Sequence, residues 1–201
     1  MARTRSAQHD LRREEILDQA AACFAAKGFA ASSMNDIAAA CGTSKARLYH
    51  YYDSKDAILY DLLDRYTQRL LVIIAETEAA AERSALDDRA MLHALIRNFL
   101  AEYEHSAHKH IALLNDTRYL PAAHSARIVQ RQRDVVAAFS RFIKRAYPAR
   151  LSAQHQTART MQLFGMINWT FTWLKPEGRL SYADFAEQVI QTLEHGFVVR
   201  H

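Results

Sequence analysis

Residues 32–56 read SSMNDIAAACGTSKARLYHYYDSKD, and this stretch decides the fold. Ser33 is placed to cap a short helix, and Asp36 three positions on completes an approximate capping box. The spacing predicts a helix over Met34–Cys41, stopped by Gly42. Ser44 caps a second short helix, Lys45–Tyr52, which ends near Asp53-Ser54. Two short helices joined by Gly42-Thr43-Ser44 have the layout of a helix-turn-helix, whose tight turn suits a glycine. Ile37, Ala38 and Cys41 give the first helix an apolar face; Leu48 and Tyr52 do so for the second. The second helix must also present polar groups, and Thr43, Ser44, Lys45, Arg47, Tyr49, His50 and Tyr51 supply them. A polar helix start suits phosphate through its free N–H groups. Arginine can address guanine through two parallel bonds, and lysine can do so or meet phosphate as a point charge.

Working outward, Leu11, Ile16, Leu17, Ala20, Ala21 and Phe24 recur at helical spacing and predict a first helix over about His9–Lys27, ended by Gly28. Ahead of it lie Arg3, Arg5, Arg12 and Arg13 against Asp10, a basic arm that either lies along a DNA groove or is simply solvated. Downstream, a long helix opens at about Lys55 and continues to about Arg83. Further helices are predicted over Asp87–Ser106, His108–Asn115, Pro121–Ala146, Ser152–Leu174 and Ser181–Val199. The only biased tract is alanine-rich, near Ala79–Ala81. The chain is expected to divide into a three-helix unit, residues 1–54, and a helical body, residues 55–201.

Composition agrees with an all-α protein. Of 201 residues half are hydrophobic, with only 5 glycines and 3 prolines, too few for a turn-rich β-protein. The net charge of +4 permits nucleic-acid binding without requiring it. Cys23 and Cys41 lack CxxC spacing and read as reduced core thiols. The start MARTRSAQHD has no apolar core for a signal peptide, and no apolar run is long enough for a membrane span. A soluble, cytoplasmic protein with no membrane partner is expected.

The segments Ser32–Ala38, Cys41–Ser44 and Leu48–Asp56, with Phe24, Gly28 and Phe29 upstream, resemble the signature of the TetR family over about residues 10–60. Two positions depart from it. Tyr52 stands where the family usually has phenylalanine, and Arg47 where small residues are common. The resemblance implies an all-α fold of about nine helices: an N-terminal helix-turn-helix DNA-binding domain and a C-terminal domain for effector binding and dimerisation. It implies that Ser44, Lys45, Tyr49 and Tyr51 contact operator DNA, and that Ser33, Met34 and Lys55 touch phosphates. Thr43, Arg47 and His50 are further candidates on that surface, with solvent as the other destination for Arg47 and His50. It also implies a homodimer built on the last two long helices, facing a near-palindromic duplex.

Residues 161–176, MQLFGMINWTFTWLKP, are apolar nearly all round. A helix apolar on every face should be buried on every face, so its own core and a partner subunit are expected to share it. Phe164–Trp169 and Trp173–Gly178, and more loosely Asn115–Leu120, resemble a TetR subgroup that senses acyl-CoA thioesters of fatty-acid, aromatic-acid or sterol catabolism. A CoA thioester needs an apolar pocket, for which Met166, Trp169, Thr170 and Trp173 are candidates, and cations for its phosphates, which Arg118, Arg127 and Arg131, with Arg133 and Lys175, could supply. Plain core, dimer interface and solvated basic face are the alternative readings of the same residues. A multidrug or aromatic-compound sensor is the alternative within the family.

His105, His108 and His110 invite a metal reading, but no cysteine or carboxylate pair completes a tetrahedral set, and a polar helix end accounts for them. No Gly-rich phosphate loop, GxSxG elbow or HExxH motif is present, so neither catalysis nor a cofactor is expected. A purely structural helical adaptor is the remaining rival.

Overall fold

Gly28 and Gly42 both adopt positive φ, +78° and +59°. These two left-handed turns, which glycine enters at no steric cost, set the path of the first three helices. In the computed structural model, residues 2–148, 153–175 and 177–195 are described. Among them are nine α-helices, two short 3-10 turns and no strand. The helices are α1 (Ala2–Lys27), α2 (Met34–Ala40), α3 (Lys45–Tyr49), α4 (Lys55–Arg83), α5 (Asp88–His105), α6 (Ala107–Asp116), α7 (Ala122–Ala146), α8 (Ala153–Asn168) and α9 (Tyr182–His195). The 3-10 turns are Thr117–Tyr119 and Thr170–Thr172. No described helix is long and apolar enough to cross a membrane.

The chain forms two compact units. One holds the chain up to Gln68 together with His108–Gln130; the other holds Arg69–Ala107 together with the chain from Arg131. In the first, α1 packs on α2 and α2 on α3. Ile16, Leu17, Phe24, Ile37 and Leu48 are buried there, with Ile58, Leu59, Leu62 and Leu63 of α4. Full burial of each such side chain contributes roughly 1.5–3 kcal/mol. In the second unit α5 and α8 pack on α9. Its core centres on Phe139, whose ring meets Phe99 edge-on at 4.7 Å and Phe164 at 5.0 Å.

Three expectations change. α1 begins at Ala2, not His9, because no breaker separates the arm from the helix. The helix expected over Ser152–Leu174 ends at Asn168 and tightens into the Thr170–Thr172 turn. Thr170 Oγ1 donates to the Ile167 carbonyl at 2.9 Å and Thr172 Oγ1 to the Trp169 carbonyl at 2.8 Å, so hydroxyls compete with the helical ladder. α3 is also shorter than predicted, stopping at Tyr49 with His50 as its C-cap. Ser152, Pro176 and Val199, at which expected segments began or ended, lie outside the described residues.

Candidate nucleic-acid interface

The turn between α2 and α3 is built almost wholly from local bonds. Ser33 Oγ accepts the Asp36 N–H at 3.2 Å and Asp36 Oδ2 accepts the Ser33 N–H at 2.8 Å, a complete capping box. Lys27 Nζ lies 2.6 Å from Asp36 Oδ1. That ammonium, and then the Ser33 bonds, hold the Asp36 carboxyl well below the usual carboxylate range. At the far end Gly42 N–H donates to Ala39 O and Thr43 N–H to Ala38 O, at 3.0 and 2.9 Å. Ser44 Oγ then accepts the Arg47 N–H at 3.2 Å and starts α3.

α3 hangs on one anchor. Leu48 is fully buried, while Lys45, Ala46, Arg47 and Tyr49 face outward. Ser44 and His50 at its two ends are exposed as well, and Thr43 and Tyr51 are half-buried. Lys45 Nζ sits 5.9 Å from the centre of the Tyr49 ring, near the limit of a cation–π contact. Seven of the ten residues named for DNA from the sequence are thus brought onto one polar surface around α3.

The other three serve the fold. Met34 is 8% exposed and belongs to the core. Ser33 is exposed, but its hydroxyl is engaged in the α2 cap. Lys55 turns inward: its ammonium donates to the carbonyls of Phe29 and Ser32, both at 2.6 Å, and lies 4.2 Å from the centre of the Phe29 ring. It closes the turn after Gly28, so phosphate binding by Lys55 would break two short charge-assisted bonds.

Tyr52, the departure from the family pattern, also has a structural explanation. Its hydroxyl donates to Asp61 Oδ2 at 2.6 Å, and Arg13 Nη2 donates to the same oxygen at 2.8 Å. Arg65 Nε binds Asp61 Oδ1 at 3.0 Å and Arg65 Nη1 also binds Glu14. Phenylalanine cannot join this network, which ties α1 and the end of the α3 segment to α4. Burial pushes the Tyr52 hydroxyl pKa upward, and the Asp61 carboxylate reinforces it.

The residues named for an effector are divided between the units. Arg118 and Arg127 fall in the first; Arg131, Met166, Trp169, Thr170 and Trp173 fall in the second. Arg127 Nε is ion-paired with Asp64 at 3.0 Å, and the Arg118 guanidinium lies 5.0 Å from the centre of the Tyr119 ring. Arg131 and Met166 are half-buried. Thr170 is buried with its hydroxyl bonded within its own turn. Trp169 and Trp173 are 63% and 48% exposed. None of these residues lines the groove of about 560 Å³ that α4 and α5 form in the second unit. Ile73, Thr77, Ala80, Ala81, Leu86 and Ala94 line it, with the ion-paired Arg69 and Glu102 at its rim. The sequence signal for its floor was the alanine-rich tract. His110 is buried beside Tyr66, with His105 and His108 outside, and no group of three metal-ligand residues forms among the described residues.

Known proteins of this architecture give the class. The family model of the tetracyclin repressor-like C-terminal domain matches residues 85–197, and that of the bacterial regulatory proteins of the tetR family matches residues 16–62. A TetR-family transcriptional regulator from Bordetella parapertussis superposes with a TM-score of 0.86, at 31% identity, covering 94% of this chain and 98% of that one. The chain belongs to the TetR family of transcriptional regulators. The repressor KstR2 of Rhodococcus jostii is 36% identical over 105 residues, which is 52% of this chain and 49% of that protein. The chain thus matches about half the length of this curated relative. AibR, solved with isovaleryl coenzyme A and operator DNA, shares the fold with a TM-score of 0.75 at 24% identity, over 90% of this chain and 97% of that one.

Proposed function

We propose that this chain is a ligand-responsive transcriptional repressor that binds a palindromic operator as a homodimer and is released by a small hydrophobic effector. Residues 1–54 act as the reading head and residues 55–201 serve effector binding and dimerisation. The observation that carries the reading is α3: one buried leucine fixes it, and its other side chains are free to meet a polyanion. Exposed Met161, Trp169 and Trp173 support a second copy docking along α8 and α9. Acting on DNA, the protein works in the cytoplasm and needs neither cofactor nor catalysis.

The effector of this reading is an acyl-CoA thioester. Support comes from the resemblance at Phe164–Trp169 and from the ligand of AibR, a protein of the same fold. A second reading, an uncharged aromatic or drug-like effector, gains from the Asp64 partner of Arg127, which leaves one cation fewer for a CoA head group. Release follows from linkage: an effector that prefers a form with mis-spaced heads weakens DNA binding, typically by about 5–150-fold.

The test begins with a 30-bp duplex selected by the protein from a random pool. Lys45→Ala should weaken binding to it by about 5- to 100-fold at matched salt, without lowering the melting temperature. Wild-type affinity in the variant would overturn the assignment of α3. Isothermal titration with isovaleryl-CoA and with free isovaleric acid separates the two effector readings, since heat with the ester alone requires a site for the head group.

A further inference from the structure

The polar surface around α3 has a neighbour on α1. The His9 ring lies against the Tyr51 ring, centroids 5.0 Å apart and planes 27° from parallel. One turn along α1, Arg12 Nη2 donates to the Cys41 carbonyl at 3.2 Å, which fastens α1 to the α2–α3 turn. Gln8, His9 and Arg12 form one side of an open cleft of about 850 Å³; Gly42, Thr43, Arg47 and Tyr51 form the rest. Two arginines and no carboxylate line this cleft. Two acids beside these residues lie outside the lining: Glu15 is paired to Arg12 at 2.6 Å, and Asp10 is 4.0 Å from His9 Nδ1.

Tyr51 lies beyond the C-terminal end of α3, in a turn where its N–H donates to the Leu48 carbonyl at 2.9 Å. A half-buried ring in a turn loses rotamer freedom when it binds, and a neighbour that holds it beforehand removes part of that cost. We infer that the cleft takes one sugar-phosphate strand of the duplex, and that His9 is a positioning residue that holds Tyr51 against that strand. The inference rests on the reading of α3 as the DNA-facing helix. It adds a wall from α1 that the turn and α3 do not provide by themselves. The stack is the element that matters, so a benzene ring at position 9 should serve nearly as well as imidazole.

The experiment uses the full chain and the duplex selected by wild type. His9→Ala should weaken binding by about 3- to 10-fold, the range an aromatic pair supports, with an unchanged melting temperature. His9→Phe should return affinity to within about twofold of wild type. In a Tyr51→Ala background, His9→Ala should cost less than about 1.5-fold, because the ring it positions is gone. Unchanged binding by His9→Ala, no rescue by phenylalanine, or an undiminished loss in the Tyr51→Ala background would each overturn the inference. Loss with Lys45→Ala but none with His9→Ala removes this inference alone. No loss with Lys45→Ala removes the reading of α3 on which it stands.

Discussion

The outward surfaces of α3 and of the α8 end segment were made by opposite choices. Around α3 the exposed polar side chains are Ser44, Lys45, Arg47, Tyr49 and His50, with Ala46 among them, on a helix held by one buried leucine. Along α8 and the turn after it, the exposed large hydrophobic side chains are Met161, Trp169 and Trp173, set among exposed Arg159, Gln162 and Thr172, while Leu163, Phe164, Ile167 and Leu174 are buried. A polar surface is stable in water and gains by meeting a polyanion whose counterions are released. Exposed apolar side chains gain by being covered. On the proposed reading the first surface binds and lets go as conditions change, whereas the second holds a longer-lived partner.

The largest expected effect strikes the apolar side of this contrast. Trp169→Glu places a charge in the proposed contact and should weaken self-association by about a hundredfold or more, moving the sedimentation mass from two chains to one. A variant that sediments like wild type would take Trp169 out of any subunit contact. Far-ultraviolet circular dichroism should stay unchanged, since Trp169 is 63% exposed and contributes little to its own core.

The polar side breaks at Asp61, which anchors Arg13, Tyr52 and Arg65. Burial works to raise the pKa of this carboxyl, but bonds from Tyr52 and Arg65 and the charges of Arg65 and Arg13 outweigh it and hold it low. A lowered folded-state pKa gives stability that is full above the unfolded value of about 4 and lost as pH falls through the folded value. Asp61→Asn should therefore cost about 1.5–3 kcal/mol in urea unfolding at pH 7. The gap between variant and wild type should narrow below about pH 4. A gap of constant size down to pH 2 would mean that charge is not the source.

Gly42→Ala sharpens the comparison at the turn. No atom lies within 4 Å of an added Cβ, so the cost is that of the +59° φ alone, about 1–2 kcal/mol. A much larger loss in thermal unfolding would reveal a clash that the geometry does not contain. The smallest effect is expected from Tyr52→Phe, about 1 kcal/mol. It deletes the hydroxyl bond to Asp61 and restores the residue the family pattern favours. A stability equal to wild type would show that Arg13 and Arg65 satisfy Asp61 without it.

Legibility in the sequence follows the same divide. Ser33, Asp36, Gly42 and Ser44 act on backbone groups within four residues of themselves, so the head could be read from spacing. The role of Lys55 could not, because its carbonyl partners at Phe29 and Ser32 come close only when α4 packs against the turn after α1. His9 was likewise invisible: its partner Tyr51 is brought to it by folding alone. The groove beside Ala80 and Ala81 left only a faint compositional trace.

By itself the sequence determined the helical class, the two glycine turns, the caps of α2 and α3 and the polar character of the second short helix, because each depends on nearest neighbours along the chain. Only the tertiary structure decided that Lys55 and Met34 face inward and that Tyr52 completes a network on Asp61. It also decided which tryptophans of residues 161–176 stay in solvent. Those outcomes depend on which groups meet across distant segments, and an apolar or charged side chain carries no record in its own neighbourhood of the surface it will find.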